Sequence, residues 1–161
     1  MSAPYTHIEY ELTSEEKTMR LGSALGALLK PGDIVLLKGE LGAGKTVFAR
    51  GLAKGLGVSM DYDVVSPTFT LLNIYPGKCS FFHADLYRLS QGEVLDLELL
   101  DEAHEGVLAV EWPERAGDIW PVGSLLIQFA SPDQLRRLVR ISGPEAILKN
   151  FQEHETPGQD D

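Results

Sequence analysis

The sequence predicts an α/β three-layer sandwich with a mostly parallel central sheet and antiparallel additions. Three observations point there. The apolar segment Asp33-Ile-Val-Leu-Leu-Lys38 runs into a glycine-rich stretch and then into an amphipathic helical pattern. Val107-Leu-Ala-Val110 is apolar throughout, as expected of a strand buried on both faces. Strand-like and helix-like segments alternate along the chain, which favours parallel strands joined by helices.

The elements follow in order. Tyr5 to Leu12 alternates loosely and reads as a strand. Thr13-Ser-Glu-Glu16 reads as a helix start, with Thr13 or Ser14 as cap and Glu16 completing a capping box. Leu21, Leu25, Leu28 and Leu29 then recur at helical spacing until Pro31-Gly32 stops the helix. After the strand at 33–38, a second helix carries Phe48, Leu52 and Leu56 on one face and stops at Gly57. Ser66-Pro67-Thr68 is a rigid turn. Phe69 to Tyr75 and Cys79 to Ala84 are strands separated by the Pro76-Gly77 turn, the second ending at Asp85. Gln91 to Leu100 reads as a helix on Val94, Leu95, Leu97 and Leu99. Leu125 to Phe129 and Leu135 to Ile141 form a closing pair of strands. The chain of 161 residues suits a single domain over 1–149. The tail 150–161 is polar and acidic with no basic residue after Lys149, so disorder is expected there.

Composition narrows the function. Net charge is −10, and an acidic chain gains little from nucleic-acid phosphates by itself. If RNA is involved, a partner holds it. Cys79 is the only cysteine, so no disulfide framework or thiolate metal cluster is expected. A lone cysteine of this kind reads as a small buried hydrophobe and fits a reducing cytosol. The start Met1-Ser-Ala-Pro-Tyr5 has neither a basic nor an apolar leader region. No apolar run approaches the roughly 18 residues of a membrane span. A cytoplasmic protein with no membrane partner is the expectation.

The chemistry concentrates in Gly39-Glu-Leu-Gly-Ala-Gly44-Lys45-Thr46, which matches the Walker A pattern in its required strand–loop–helix setting. Glycines let the backbone wrap a phosphate, and the helix that follows brings its positive end to the same place. The candidate cradle is Leu41, Gly42, Ala43, Gly44, Lys45, Thr46 and Val47. Lys45 is suited to the outer phosphates and Thr46 to Mg²⁺. Such a site needs an acid near the metal, at the end of a neighbouring buried strand. Glu111 follows Val107–Val110, and Asp85 follows Phe81-Phe-His-Ala84. Either can hold Mg²⁺ or orient the attacking water. Thr68 lies where phosphate-sensing proteins carry a switch hydroxyl. Arg88, Arg115, Arg136, Arg137 and Arg140 are available as transition-state charges, without a local arginine-finger signature. The histidines His7, His83, His104 and His154 lack paired ligand spacing and read as surface or core residues. The absence of an Asn-Lys-x-Asp stretch disfavours a guanine-specific GTPase.

Four motifs in order carry a resemblance. Gly39–Thr46, Ser66-Pro-Thr-Phe-Thr-Leu71, His83-Ala-Asp-Leu-Tyr-Arg88 and Val110-Glu-Trp-Pro-Glu-Arg115 together resemble the TsaE (formerly YjeE) family. The opening Thr13-Ser-Glu-Glu-Lys-Thr-Met-Arg-Leu-Gly22 is similar too. These are the ATPase subunits of bacterial tRNA threonylcarbamoyladenosine synthesis. The likeness spans roughly Glu11 to Ile141.

The resemblance implies a small P-loop fold that binds ATP and Mg²⁺, hydrolyses slowly alone and docks on TsaD and TsaB. It implies support for modification of adenosine 37 in tRNAs reading codons that start with A, with no transfer of the threonylcarbamoyl group by this chain. It also implies Thr46 and Glu111 as Mg²⁺ ligands, Asp85 as an aid to hydrolysis and Glu15 as a nucleotide contact. Two other readings share the loop, a small-molecule kinase and a nucleotide-gated binding module with negligible hydrolysis. The kinase reading lacks an evident arginine-rich lid after the loop's helix.

Overall fold

The computed structural model describes residues 5–67, 71–90, 92–93, 98–102 and 104–154. Along the chain run β1 (Tyr5–Leu12), α1 (Glu15–Gly26), β2 (Ile34–Lys38), α2 (Lys45–Gly55), β3 (Leu72–Tyr75) and β4 (Ser80–Asp85). They are followed by α3 (Leu99–Glu102), β5 (Gly106–Glu111), a 3₁₀ turn (Pro113–Ala116), β6 (Leu125–Ala130), β7 (Arg137–Pro144) and α4 (Glu145–His154). Among the described residues the strands form one sheet in the order β1-β7-β6-β2-β5-β4-β3. No helix among them is long and apolar enough to cross a membrane.

The sheet is mixed: the expected antiparallel additions are present, but they equal the parallel pairings in number, so the sheet is not mostly parallel. β6, β2, β5 and β4 run parallel through three pairings. β1–β7, β7–β6 and β3–β4 are antiparallel. Connection length explains the difference. The turn at Pro76-Gly77 and the link between β6 and β7 are too short for a crossover, and a short link can only return antiparallel. The parallel strands at the centre are apolar on both faces. Val35 and Leu37 of β2 pack with Val107 and Ala109 of β5 on the side of α1, α2 and α4. Ile34, Leu36, Leu108 and Val110 pack on the other side with Leu99 of α3 and Ala116 of the 3₁₀ turn.

Helix α2 buries the expected face: Phe48, Leu52 and Leu56 are each at most 1% exposed, worth about 1.5–3 kcal/mol apiece. Gly57 ends that segment at φ 80°, a conformation that favours glycine.

Helix α1 differs in detail from its expectation. Ser14, not Thr13, is the cap, accepting from the Lys17 amide at 3.1 Å. Glu16 therefore falls short of the box position and pairs instead with Arg20, one turn on, at 2.6 Å. The helix ends at Gly26, ahead of Pro31-Gly32, because Leu28 and Leu29 tighten into i→i−3 bonds with Leu25 and Gly26. Of the helix expected over Gln91–Leu100, residues 91 and 94–97 lie outside the described residues, and α3 holds only its end. The tail boundary at 150 also moves. Asn150–His154 continue α4, and Phe151 is buried with its ring edge-on to Tyr10. Residues 155–161 lie outside the described residues.

α1 and α2 touch backbone to backbone. A Cβ at Gly22, Gly26, Gly51 or Gly55 would stand 2.2–2.5 Å from a carbonyl oxygen of the facing helix. Replacing Gly51 with valine forces the helices apart. The expected loss is about 2 kcal/mol, read as a lower urea midpoint. Gly123→Ala, at a position with nothing within 4 Å of its Cβ, should leave the midpoint unchanged.

Candidate functional site

The site forms where the central parallel strands end. β2 leaves the sheet at Lys38, and the chain turns through Gly39–Gly44 into α2. Two glycines there adopt left-handed backbone, Gly42 at φ 77° and Gly44 at φ 111°. At Gly39 the restriction is space, since a Cβ would meet the Phe129 carbonyl oxygen at 2.9 Å. Gly44 caps α2 with no side-chain hydrogen bond to the helix. The first amides of α2 are thus left for whatever enters the cavity, and the helix dipole favours an anion there.

That cavity measures about 630 Å³. Of the residues singled out from the sequence, Glu15, Leu41, Gly42, Gly44, Lys45, Thr46, Val47, Asp85 and Glu111 line it. Ala43 does not. Its side chain is buried in the main core and its amide is donated to the Glu40 carbonyl. Thr68 lies outside the described residues.

Lys45 is 5% exposed. Its ammonium donates to the Gly39 and Glu40 carbonyl oxygens and sits 4.1 Å from the centre of the Trp112 ring. Burial lowers its pKa below the ordinary lysine value, while the carboxylates of Glu111, Glu114, Asp85 and Glu40 act in the opposite direction.

Glu111 ends β5 and is 3% exposed. The Thr46 hydroxyl donates toward its two oxygens at 3.1 and 3.3 Å. Asp85 ends β4 directly opposite Glu111 in the parallel register. Its carboxylate accepts from the Ser66 hydroxyl at 2.5 Å and from the Tyr87 amide at 3.0 Å. A hydroxyl and a carboxylate side by side are hard oxygen donors, the set suited to Mg²⁺. Asp85, held by Ser66 and the backbone, is a second acid on the same wall.

Sequence reasoning missed several groups that the structure brings here. His83, read as a surface or core residue, is fully buried with Nε2 at 2.7 Å from Glu111 Oε2. Its signal was strand alternation, which puts it on the same face as Asp85. Ser66 was read as part of a turn, and its bond to Asp85 depends on a long-range contact. Tyr87 and Trp112 pack with ring centres 4.8 Å apart, and Trp112 takes a left-handed φ of 61° at the exit from β5. The arginines separate. Arg88 and Arg137 line the cavity, Arg137 reaching the Gly42 carbonyl at 3.4 Å. Arg136 pairs with Asp133 and Glu11, and Arg140 with Glu9. Arg115 lies over Tyr87.

Comparison with known proteins places the chain in a family. Residues 12–139 match the family described as threonylcarbamoyl adenosine biosynthesis protein TsaE. The tRNA threonylcarbamoyladenosine biosynthesis protein TsaE of Nostoc sp. is 48% identical over 110 residues, covering 65% of this chain and 67% of that protein. The protein of the same name from Aquifex aeolicus is 41% identical over 134 residues, covering 83% and 94% respectively. Among solved structures, YdiB of Bacillus subtilis superposes with a TM-score of 0.82 at 28% identity, over 96% of this chain and all of that one. With its loop, its paired strand-end acids and a match over most of its length, the chain belongs to the TsaE family.

Proposed function

We propose that this protein is a Mg²⁺-dependent ATPase that serves tRNA threonylcarbamoyladenosine formation as the nucleotide-driven subunit of a complex with TsaD and TsaB. The observation that carries the reading is the Thr46–Glu111 pair at the open N-terminus of α2. In a family named for this modification, that pair gives the cavity a place for a metal beside a place for phosphate.

The residues present fit both groups. The amides of Gly42, Gly44, Lys45, Thr46 and Val47 face a phosphate chain, with Leu41 and Glu15 on the cavity wall. Thr46 and Glu111 hold Mg²⁺. When bound, Mg²⁺ neutralises charge on the phosphate oxygens and so lowers the barrier to phosphoryl transfer. Lys45 exchanges its two carbonyl partners for the outer phosphates. Asp85 orients the attacking water, and its bonds to Ser66 and Tyr87 keep the carboxylate in one orientation. Thr68 answers to the terminal phosphate from the adjoining segment. The net charge of −10 leaves tRNA to the partner subunits.

Phosphate release with and without TsaD and TsaB tests the assignment. Turnover should be weak alone and rise with both partners present. Lys45→Ala should lower it roughly 100-fold, the scale for removing one preorganised charge-stabilising donor. Glu111→Ala should raise the Mg²⁺ concentration required. Stoichiometric transfer of the γ-phosphate to a small acceptor would instead identify a kinase, and nucleotide binding without turnover in any combination would identify a gated binding module.

Lys45 yields a pH signature. Burial holds its pKa below the ordinary lysine value, and anionic phosphates raise it. Nucleotide binding should therefore take up protons at alkaline pH, between the two values, with affinity falling as pH climbs through that window and no such loss near neutrality. Calorimetry in two buffers of different ionisation enthalpy measures the uptake, which should vanish in Lys45→Met.

A further inference from the structure

We propose that His83 is a positioning residue for Glu111, orienting its carboxylate so that the divalent cation meets a fixed oxygen donor. The inference rests on the metal role given to Glu111 above. His83 is completely buried in β4, opposite Ala109 of β5 and two register positions from Glu111, on the same face of the sheet. The small side chain of Ala109 leaves room for the imidazole to reach diagonally along the strand pair. Nε2 donates to Glu111 Oε2 at 2.7 Å, while the Thr46 hydroxyl lies closer to Oε1, at 3.1 Å, than to Oε2. Oε2 is thus met by both the imidazole and the hydroxyl, and Oε1 by the hydroxyl alone. A glutamate side chain has three rotatable bonds, and two partners on one carboxylate fix the last of them.

The imidazole is itself held. It stacks on Phe81 at 6.1 Å with 18° between planes, and Phe81 stacks on Tyr75 at 6.1 Å. Its other nitrogen, Nδ1, is buried with no hydrogen-bond partner among the described residues. A group kept only to fill this space would leave no polar atom stranded, and phenylalanine would serve. What histidine adds at this position is a single directed bond, and that bond ends on Glu111. Such outer partners of metal ligands commonly change metal affinity roughly 10- to 100-fold.

The test measures binding of a fluorescent ADP analogue, N-methylanthraniloyl-ADP, in excess Mg²⁺ and in EDTA. The ratio of the two affinities reports the metal's contribution without reference to turnover. His83→Phe should reduce that ratio at least tenfold and leave the EDTA affinity unchanged. His83→Gln, which can present an N–H at a similar reach, should restore most of it, whereas His83→Asn, too short to reach Oε2, should not. The glutamine and asparagine variants keep the comparison available if phenylalanine prevents folding, and equal ratios in those two would overturn the proposal. A parallel loss in Mg²⁺ and in EDTA would mark His83 as structural only, and likewise overturn it. Glu111→Ala separates the two layers of the argument. Loss of the ratio there, with none in His83→Phe, sinks the positioning role alone. A wild-type ratio in Glu111→Ala sinks the metal assignment and the positioning role together.

Discussion

Leu37 of β2 pairs in parallel with Glu111 of β5, and the site hangs on that register. Where β2 ends, the chain turns through the glycine loop and starts α2. Where β5 ends, Glu111 turns up beside the first residues of that helix. A slip of one residue would send Glu111 to the opposite face of the sheet, away from Thr46. The apolar side chains of both strands are buried on two faces. The backbone adds its own restraint: Trp112 donates to the Leu37 carbonyl at 3.3 Å, and Leu86 to the Glu111 carbonyl at 3.1 Å, tying three strand ends together.

Four ionisable side chains, Lys45, His83, Asp85 and Glu111, are at most 6% exposed. Burying an unpaired charge costs several kcal/mol, so the arrangement survives only because each group has a partner in the protein itself. Lys45 has two carbonyls and the Trp112 ring. Glu111 has Thr46 and His83. Asp85 has Ser66 and a backbone amide. Each of these side chains is therefore held in place by partners within the protein.

Local patterns made the central parts readable. Glycine spacing with Lys45 and Thr46, the apolar strands around Val35 and Val107, and the face of Phe48, Leu52 and Leu56 each lie within a short window of sequence. What escaped depends on neighbours far away in the chain. Nothing near His83 shows that β4 lies against β5, so its bond to Glu111 was invisible, as was the bond from Ser66 to Asp85. The antiparallel additions were legible from the short connections, but the pairing of β1 with β7 joins the two ends of the chain and leaves no local signal. The cap of α1 was ambiguous between adjacent hydroxyls, and only the amide of Lys17 decides for Ser14. Helix α4 was not expected at all. Ile147, Leu148 and Phe151 share helical spacing, and the contact of Phe151 with Tyr10 comes from the far end of the chain.

The glycine contact between α1 and α2 reaches further than packing. Ser14 and Glu15, at the start of α1, and Lys45 and Thr46, at the start of α2, all line the cavity. Because the two helices meet at bare backbone, those surfaces are spaced by atoms that are not there. A side chain at Gly22 or Gly55 would act as a wedge between the two helices without touching any residue of the cavity lining. The width of the cavity is thus encoded at a distance, by omission, in glycines that do not line it.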